Sequence, residues 1–199
     1  MGRSYFGMLV ALGLGVATAA AQELPSEAVV SSITKAGVTE GCSVQYTAVA
    51  RDHIYKSGSP IGITGSLSWM LHPQMGIGVM IKLITADIDK RAPNSLLTFK
   101  VTHGFIRINT KVVQVEQRYD CDQPTGFCGA VGMEKAMDTY LAYANGGESV
   151  SFGFNRATAG MDVVVPVPTL SLEQGNQLNE CMLQVLQRAQ SRMKEKGSR

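Results

Sequence analysis

Charge is scarce in this sequence: Asp, Glu, Lys and Arg make up 17% of its 199 residues and nearly cancel, to a net +2. So even a balance gives no long-range attraction to a nucleic-acid backbone or an anionic membrane surface, and neither is expected as a partner. Histidine is scarcer still. His53, His72 and His103 stand far apart with no H-x-H or H-x-x-x-H spacing, so no metal site is expected. Gly76-Ile-Gly78 falls short of a phosphate loop, and Gly129-Ala-Val-Gly132 lacks the Lys-Ser/Thr that grips phosphate. Ser66, Ser68 and Ser171 have no G-x-S-x-G context for a serine nucleophile. No catalytic residue and no cofactor are assigned on these grounds. Internal repeats, heptads and low-complexity tracts are also missing.

Long apolar runs are confined to the N-terminus. Phe6 to Val16 follows the single positive charge of Arg3 and precedes Ala19-Ala20-Ala21, the n-region, h-region and A-x-A order of a signal peptide over 1–21. The run is shorter than the roughly 20 residues a spanning helix needs. Cleavage between Ala21 and Gln22 leaves no cysteine at the new terminus for a lipid anchor, and no later segment is long enough to cross a bilayer. The expectation is an exported soluble chain, periplasmic or secreted, with no transmembrane segment after signal removal. Roughly 180 residues remain, the size of one domain.

An oxidising compartment turns attention to the four cysteines. Two lie in Arg118 to Ala130, RYDCDQPTGFCGA. Val113, Val115, Gln117 and Tyr119 alternate with polar neighbours as a strand would, and Asp122-Gln123-Pro124-Thr125-Gly126 then supplies turn chemistry that brings Cys121 to Cys128. Closing so short a loop stabilises a fold by about 2–3 kcal/mol in the chain-entropy view. A redox or zinc pair is the alternative, but six residues separate these thiols where a thioredoxin-like site has two. Four cysteines permit three connectivities. Pairing 121 with 128 leaves Cys42 and Cys181, whose bridge would tie the first core strand to the last helix.

The chain between these landmarks reads mostly as strand. Residues 22–41 form an N-terminal segment with a weak helical face of Ala28, Val29, Ile33 and Ala36, stopped by Gly37. Cys42 to Ala50 alternates as a core strand, and Lys56 to Pro60 is a turn cluster. Leu67 to Leu71 and Ile77 to Ala86 are apolar strands, Leu96 to Thr102 and Phe105 to Asn109 follow, and the lone Trp69 is expected half-buried. Asp87 and Asp89 are expected in a solvated loop. Met133 to Ala144 has helical period, with Asn145-Gly146-Gly147 as its stop. Val150 to Phe154 and Met161 to Val167 are short strands, and Leu172 to Lys196 is an amphipathic helix. The expected fold over 42–196 is mainly β: a single-domain β-sandwich or partly open barrel of about seven to nine strands, with one short internal helix and a C-terminal helix.

Phe105-Ile-Arg-Ile-Asn109, the strand into Tyr119-Asp-Cys121, Gly126-Phe-Cys128-Gly-Ala130, the helix, Ser149-Val-Ser-Phe152 and Pro168-Thr-Leu-Ser-Leu172 together resemble the C-terminal half of the invasion-associated locus B family. The likeness extends to the apolar Met70 to Leu83 region. The chain departs from that family where Cys42 stands alone near the mature N-terminus, where Cys181 sits in the last helix, and where Asn176 replaces an aromatic residue after Gly175. The resemblance implies an exported Gram-negative protein, mainly β, linked by name to host-cell invasion and carrying no catalytic residues to transfer. The expected function is non-enzymatic binding of an envelope or host-surface partner, with oligomeric state unread. The rivals are an enzyme on an envelope polymer, using Glu116, Asp120 and Asp122 as converging carboxylates, and a small-ligand carrier using the sandwich interior.

Overall fold

A computed structural model describes residues 26–72, 76–88, 96–144, 148–156 and 163–197. The signal peptide, the Ala21–Gln22 junction, Asp89 and the 145–147 helix stop lie outside the described residues. The architecture is two antiparallel sheets and two helices. β1 (Ser26–Lys35), β2 (Val38–Asp52), β3 (Ser59–His72) and β4 (Gly76–Ile88) form a meander of long strands. β5 (Leu96–Phe99) and β9 (Phe127–Val131) share the far side of β4, the first pairing with Thr85–Ile88 and the second with Val79–Leu83; β8 (Gln117–Tyr119) extends β9. The second sheet runs β11 (Val163–Pro166), β10 (Val150–Asn155), β6 (His103–Ile108), β7 (Lys111–Gln114). The helices are α1 (Met133–Ala144) and α2 (Leu172–Gly197).

The mainly β, sandwich-like class with one short helix and a C-terminal helix agrees with the sequence reading, but three details differ. The described residues hold eleven strands rather than seven to nine. The N-terminal segment is not helical. Ala36 and Gly37, at φ 50° and 77°, are the two left-handed residues of a tight hairpin turn, and β1 pairs with β2 along its length. The β-branched pairs Val29-Val30 and Ile33-Thr34 suit that ladder better than a helix, and the long β2 offers them a partner. The run from Val113 to Asp120 is also two strands in different sheets, because the chain crosses between them at Val115 and Glu116, where the Glu116 N–H donates to the Ala130 carbonyl at 2.9 Å.

Strand length decides how the core is covered. The 15 residues of β2 extend about 50 Å, whereas the six of β6 or β10 reach about 20 Å, so the small sheet covers only one end of the large one. At that end Tyr46 stacks on Phe152 with ring centroids 4.9 Å apart, and Phe99 meets Phe154. Gly65 makes room for Tyr46, since a Cβ there would stand 2.1 Å from the phenol oxygen. The other end is covered by the helices. Trp69 is fully buried rather than half-buried, and its indole N–H donates to the Ala136 carbonyl of α1 at 2.9 Å. Alternation shows one face of a strand turned inward; it does not show that a helix lies over it.

Both disulfides are formed, Cys121 with Cys128 and Cys42 with Cys181. The second fastens α2 to β2 beside Leu178, Met182 and Val185, all fully buried. α2 begins with a reciprocal cap: Ser171 Oγ accepts from the Gln174 N–H and the Gln174 amide oxygen accepts from the Ser171 N–H. The separation of 139 residues makes this bridge the larger entropic constraint, worth about 5 kcal/mol against about 2–3 for Cys121–Cys128. The Cys42→Ala/Cys181→Ala chain is therefore expected to lose more stability in equilibrium urea unfolding than Cys121→Ala/Cys128→Ala. Equal losses, or the reverse order, would remove α2 from the cooperative core.

Candidate functional site

Two regions carry the chemistry of this fold: a buried ion cluster at one end of the sandwich, and the uncovered face of the large sheet. The cluster forms where β2, β4 and β10 end. Asp52 is fully buried, and its Oδ1 accepts the N–H groups of Ile54 (3.1 Å) and Tyr55 (2.8 Å), shaping the β2–β3 turn. Its Oδ2 accepts from Arg156 Nη1 at 2.8 Å. Arg156 Nη2 stands 2.8 Å from the Asp87 carboxylate, and Lys56 Nζ reaches that group at 3.2 Å. The guanidinium carbon lies 3.3 Å from the centroid of the Phe99 ring. Asp87 is thus no solvated loop residue; it closes β4 inside an ion network.

The balance of charges in the cluster indicates what it does. Burial raises the Asp87 pKa, but hydrogen bonds from Arg156 and Lys56 outweigh that and hold the carboxyl below its usual range. Burial acts on Arg156 in the opposite sense and is likewise outweighed, so its pKa rises. Neither group has a proton to exchange near neutrality. The arrangement joins the small sheet to the large one and offers no general acid or base.

The acids proposed for an enzyme do not converge. Glu116 accepts from Lys135 Nζ at 2.8 Å and from the Gly132 N–H at 3.1 Å, capping the start of α1, and the Lys135 contact lowers its pKa. Asp122 is engaged by Lys82, which lowers its pKa, and Asp120 is exposed. The histidines are equally dispersed: His53 lies in the β2–β3 turn, His72 ends β3 and His103 opens β6. Among the described residues no three His, Cys, Asp or Glu side chains gather into a metal site. Between the sheets the space proposed for a ligand is occupied by the Tyr46–Phe152 stack. Burial, and then the neighbouring Tyr143, push the Tyr46 phenol far above its ordinary pKa and keep it neutral.

The helices and the small sheet all pack on one face of the large sheet, the face of Cys42, Tyr46, Trp69 and Val79. The opposite face is uncovered among the described residues. Antiparallel register sets its rows: Ser43, Ser68, Met80 and Ala130 lie side by side, as do Thr47, Thr64 and Ile84. Between the row of Gly41, Met70 and Gly78 and the row of Val49, Gly62 and Ala86, Lys82 is the single charged side chain among the described residues of β2, β3, β4 and β9. The Cys121–Cys128 corner folds back beside it, and Asp122 neutralises it at 2.8 Å. Ser43, Ala86 and Ala130 sit low between their neighbours at 5%, 7% and 4% exposure, Ser43 and Ser68 join their hydroxyls at 2.8 Å, and Met80 stands above them at 39% exposure. The result is a broad, nearly charge-free plane of hydroxyls and small side chains with flexible methionines raised on it. The alternation of these strands is legible in the sequence but the exposed plane is not, because that requires the register of four strands at once.

No family model, no curated protein and no solved structure matches this chain.

Loss of the central cation of the ion cluster should be severe. Arg156→Leu leaves Asp52 buried beside no counter-charge and is expected to cost about 3–5 kcal/mol in urea unfolding at pH 7. Adding Asp52→Asn should recover part of that loss, since the amide oxygen still accepts from Ile54 and Tyr55. The folded Asp87 pKa lies below its unfolded value, so its stabilisation is present above the ordinary aspartate range and disappears as pH falls through the lower, folded value. An Arg156→Leu cost below about 1 kcal/mol would mean that the cluster does not hold the sheets together.

Proposed function

We propose that this chain is an exported, non-enzymatic binding protein that engages a protein partner in the cell envelope or at a host surface through the uncovered face of its large sheet. The observation that carries the reading is that plane itself. A sheet face whose one central charge is already paired spares a partner the cost of burying a free ion, and its main-chain groups are already paired within the sheet. Met70 and Met80 can adapt to a partner's contour. The two disulfides favour an oxidising location, periplasmic or secreted. Among the described residues no helix is long and apolar enough to cross a membrane. The resemblance to the invasion-associated locus B family points the same way, and its residues Cys121, Cys128 and Ala130 lie at the margin of this plane.

The test is a pull-down from cross-linked cell envelopes and from culture medium, using the disulfide-bonded chain and a Thr64→Lys/Met80→Glu variant. Both substitutions lie on the uncovered face and leave the inner face untouched. The expected result is one reproducible partner captured by the parent chain and lost with the variant, while both disulfides and the circular dichroism spectrum are retained. Equal capture by both chains, or capture by neither, would overturn the reading.

A further inference from the structure

The edges of the two sheets are not alike. β5, β7, β8 and β11, which border the sheets elsewhere, have three or four residues each, and β11 ends in Pro166. Short strands and proline are the usual protections of an edge. β1 has ten residues, no proline, and among the described residues no strand on its outer side.

Its hydrogen-bonding direction follows from the turn. In a two-residue hairpin the flanking pair, here Lys35 and Val38, exchanges main-chain hydrogen bonds, so the odd-numbered residues of β1 face β2 and the even-numbered ones face outward. The Ala28 carbonyl agrees with this parity, since it is met from outside the ladder by the Gln174 side chain at 2.6 Å. Val30, Ser32 and Thr34 therefore present main-chain groups to the open side. α2 leaves a depression of about 320 Å³ over this strand, bordered by Val30, Ser32 and Gln184.

The sequence of β1, SEAVVSSITK, is self-complementary about Ser31. An antiparallel copy centred there sets Val30 against Ser32 as a hydrogen-bonded pair, twice by symmetry. On the uncovered face it sets Val29 against Ile33 and Glu27 against Lys35, also twice. Glu27 and Lys35 are the only charges on the strand and stand at equal distances from its centre. Val29 is 52% exposed in the single chain. The one irregularity between β1 and β2 does not disturb this, because the extra residue, Glu40, belongs to β2.

We infer that β1 is a homodimerisation edge: two copies of this chain pair β1 to β1, antiparallel and centred on Ser31, joining their large sheets into one continuous sheet. The two-fold axis is perpendicular to the sheet, so both uncovered faces point the same way and form one plane of double width. The inference is independent of what that plane binds.

Sedimentation velocity of the disulfide-bonded chain from about 1 to 100 µM, the range in which modest interfaces self-associate, reads this directly. A monomer–dimer equilibrium is expected. Ser32→Pro removes an outward N–H while leaving the β1–β2 ladder intact, and should weaken the dimer about a hundredfold or abolish it. Lys35→Glu sets like charges opposite each other and should weaken it about tenfold. The exchanged Glu27→Lys/Lys35→Glu chain should return to within about threefold of the parent, which a mere folding defect would not produce. A parent chain that stays monomeric throughout, a dimer indifferent to Ser32→Pro, or an exchange that fails to restore pairing would each overturn the proposal.

Discussion

The constraint on which the rest of this structure depends is a mismatch of length. Three consecutive strands of 13 to 15 residues make a sheet far longer than the second sheet, whose strands have four to six. A short sheet laid on a long one leaves half of the apolar face bare. α1 and α2 take that half, one through the Trp69 indole and the other through the Cys42–Cys181 bridge. The molecule is thus a sandwich at one end and a helix-covered sheet at the other, with one unbroken core beneath both.

Each end has its own fastening. At the helical end the bond is covalent, and it links residues too distant in sequence for local interactions to hold. At the sandwich end the bond is ionic, with Arg156 of the small sheet bound to Asp52 and Asp87 of the large one over the face of Phe99. All of this investment is on one side. The other side of the large sheet keeps small and hydroxyl side chains, with its one central cation neutralised by the disulfide corner, which couples that corner to the plane proposed for binding.

How much of this could be read beforehand depended on the range of each interaction. The Cys121–Cys128 corner was legible because Pro124 and Gly126 announce the reversal between the thiols. The helices are legible from their period, and the S-x-x-Q pattern at Ser171 marks the start of α2 as well. β1 is deceptive in the sequence because Ala28, Val29, Ile33 and Ala36 satisfy a helical spacing, while its real determinant is a partner strand beyond the Ala36-Gly37 turn. The ion cluster was illegible for a different reason. Arg156 lies 104 residues from Asp52 and 69 from Asp87, and each residue alone has the look of a surface charge. The uncovered plane depends on the same long-range register.

The central claim is that one face of the large sheet is sealed and the other is free. Limited oxidation by dilute hydrogen peroxide, read by peptide mass spectrometry, tests it with native probes on both sides. Met80 lies on the free face at 39% exposure, and Met182, on the inward face of α2, is held against the sealed face at 0%. In the folded, disulfide-bonded chain Met80 should convert to the sulfoxide while Met182 stays reduced. Protection of Met80, or oxidation of Met182 at a comparable rate, would contradict the account.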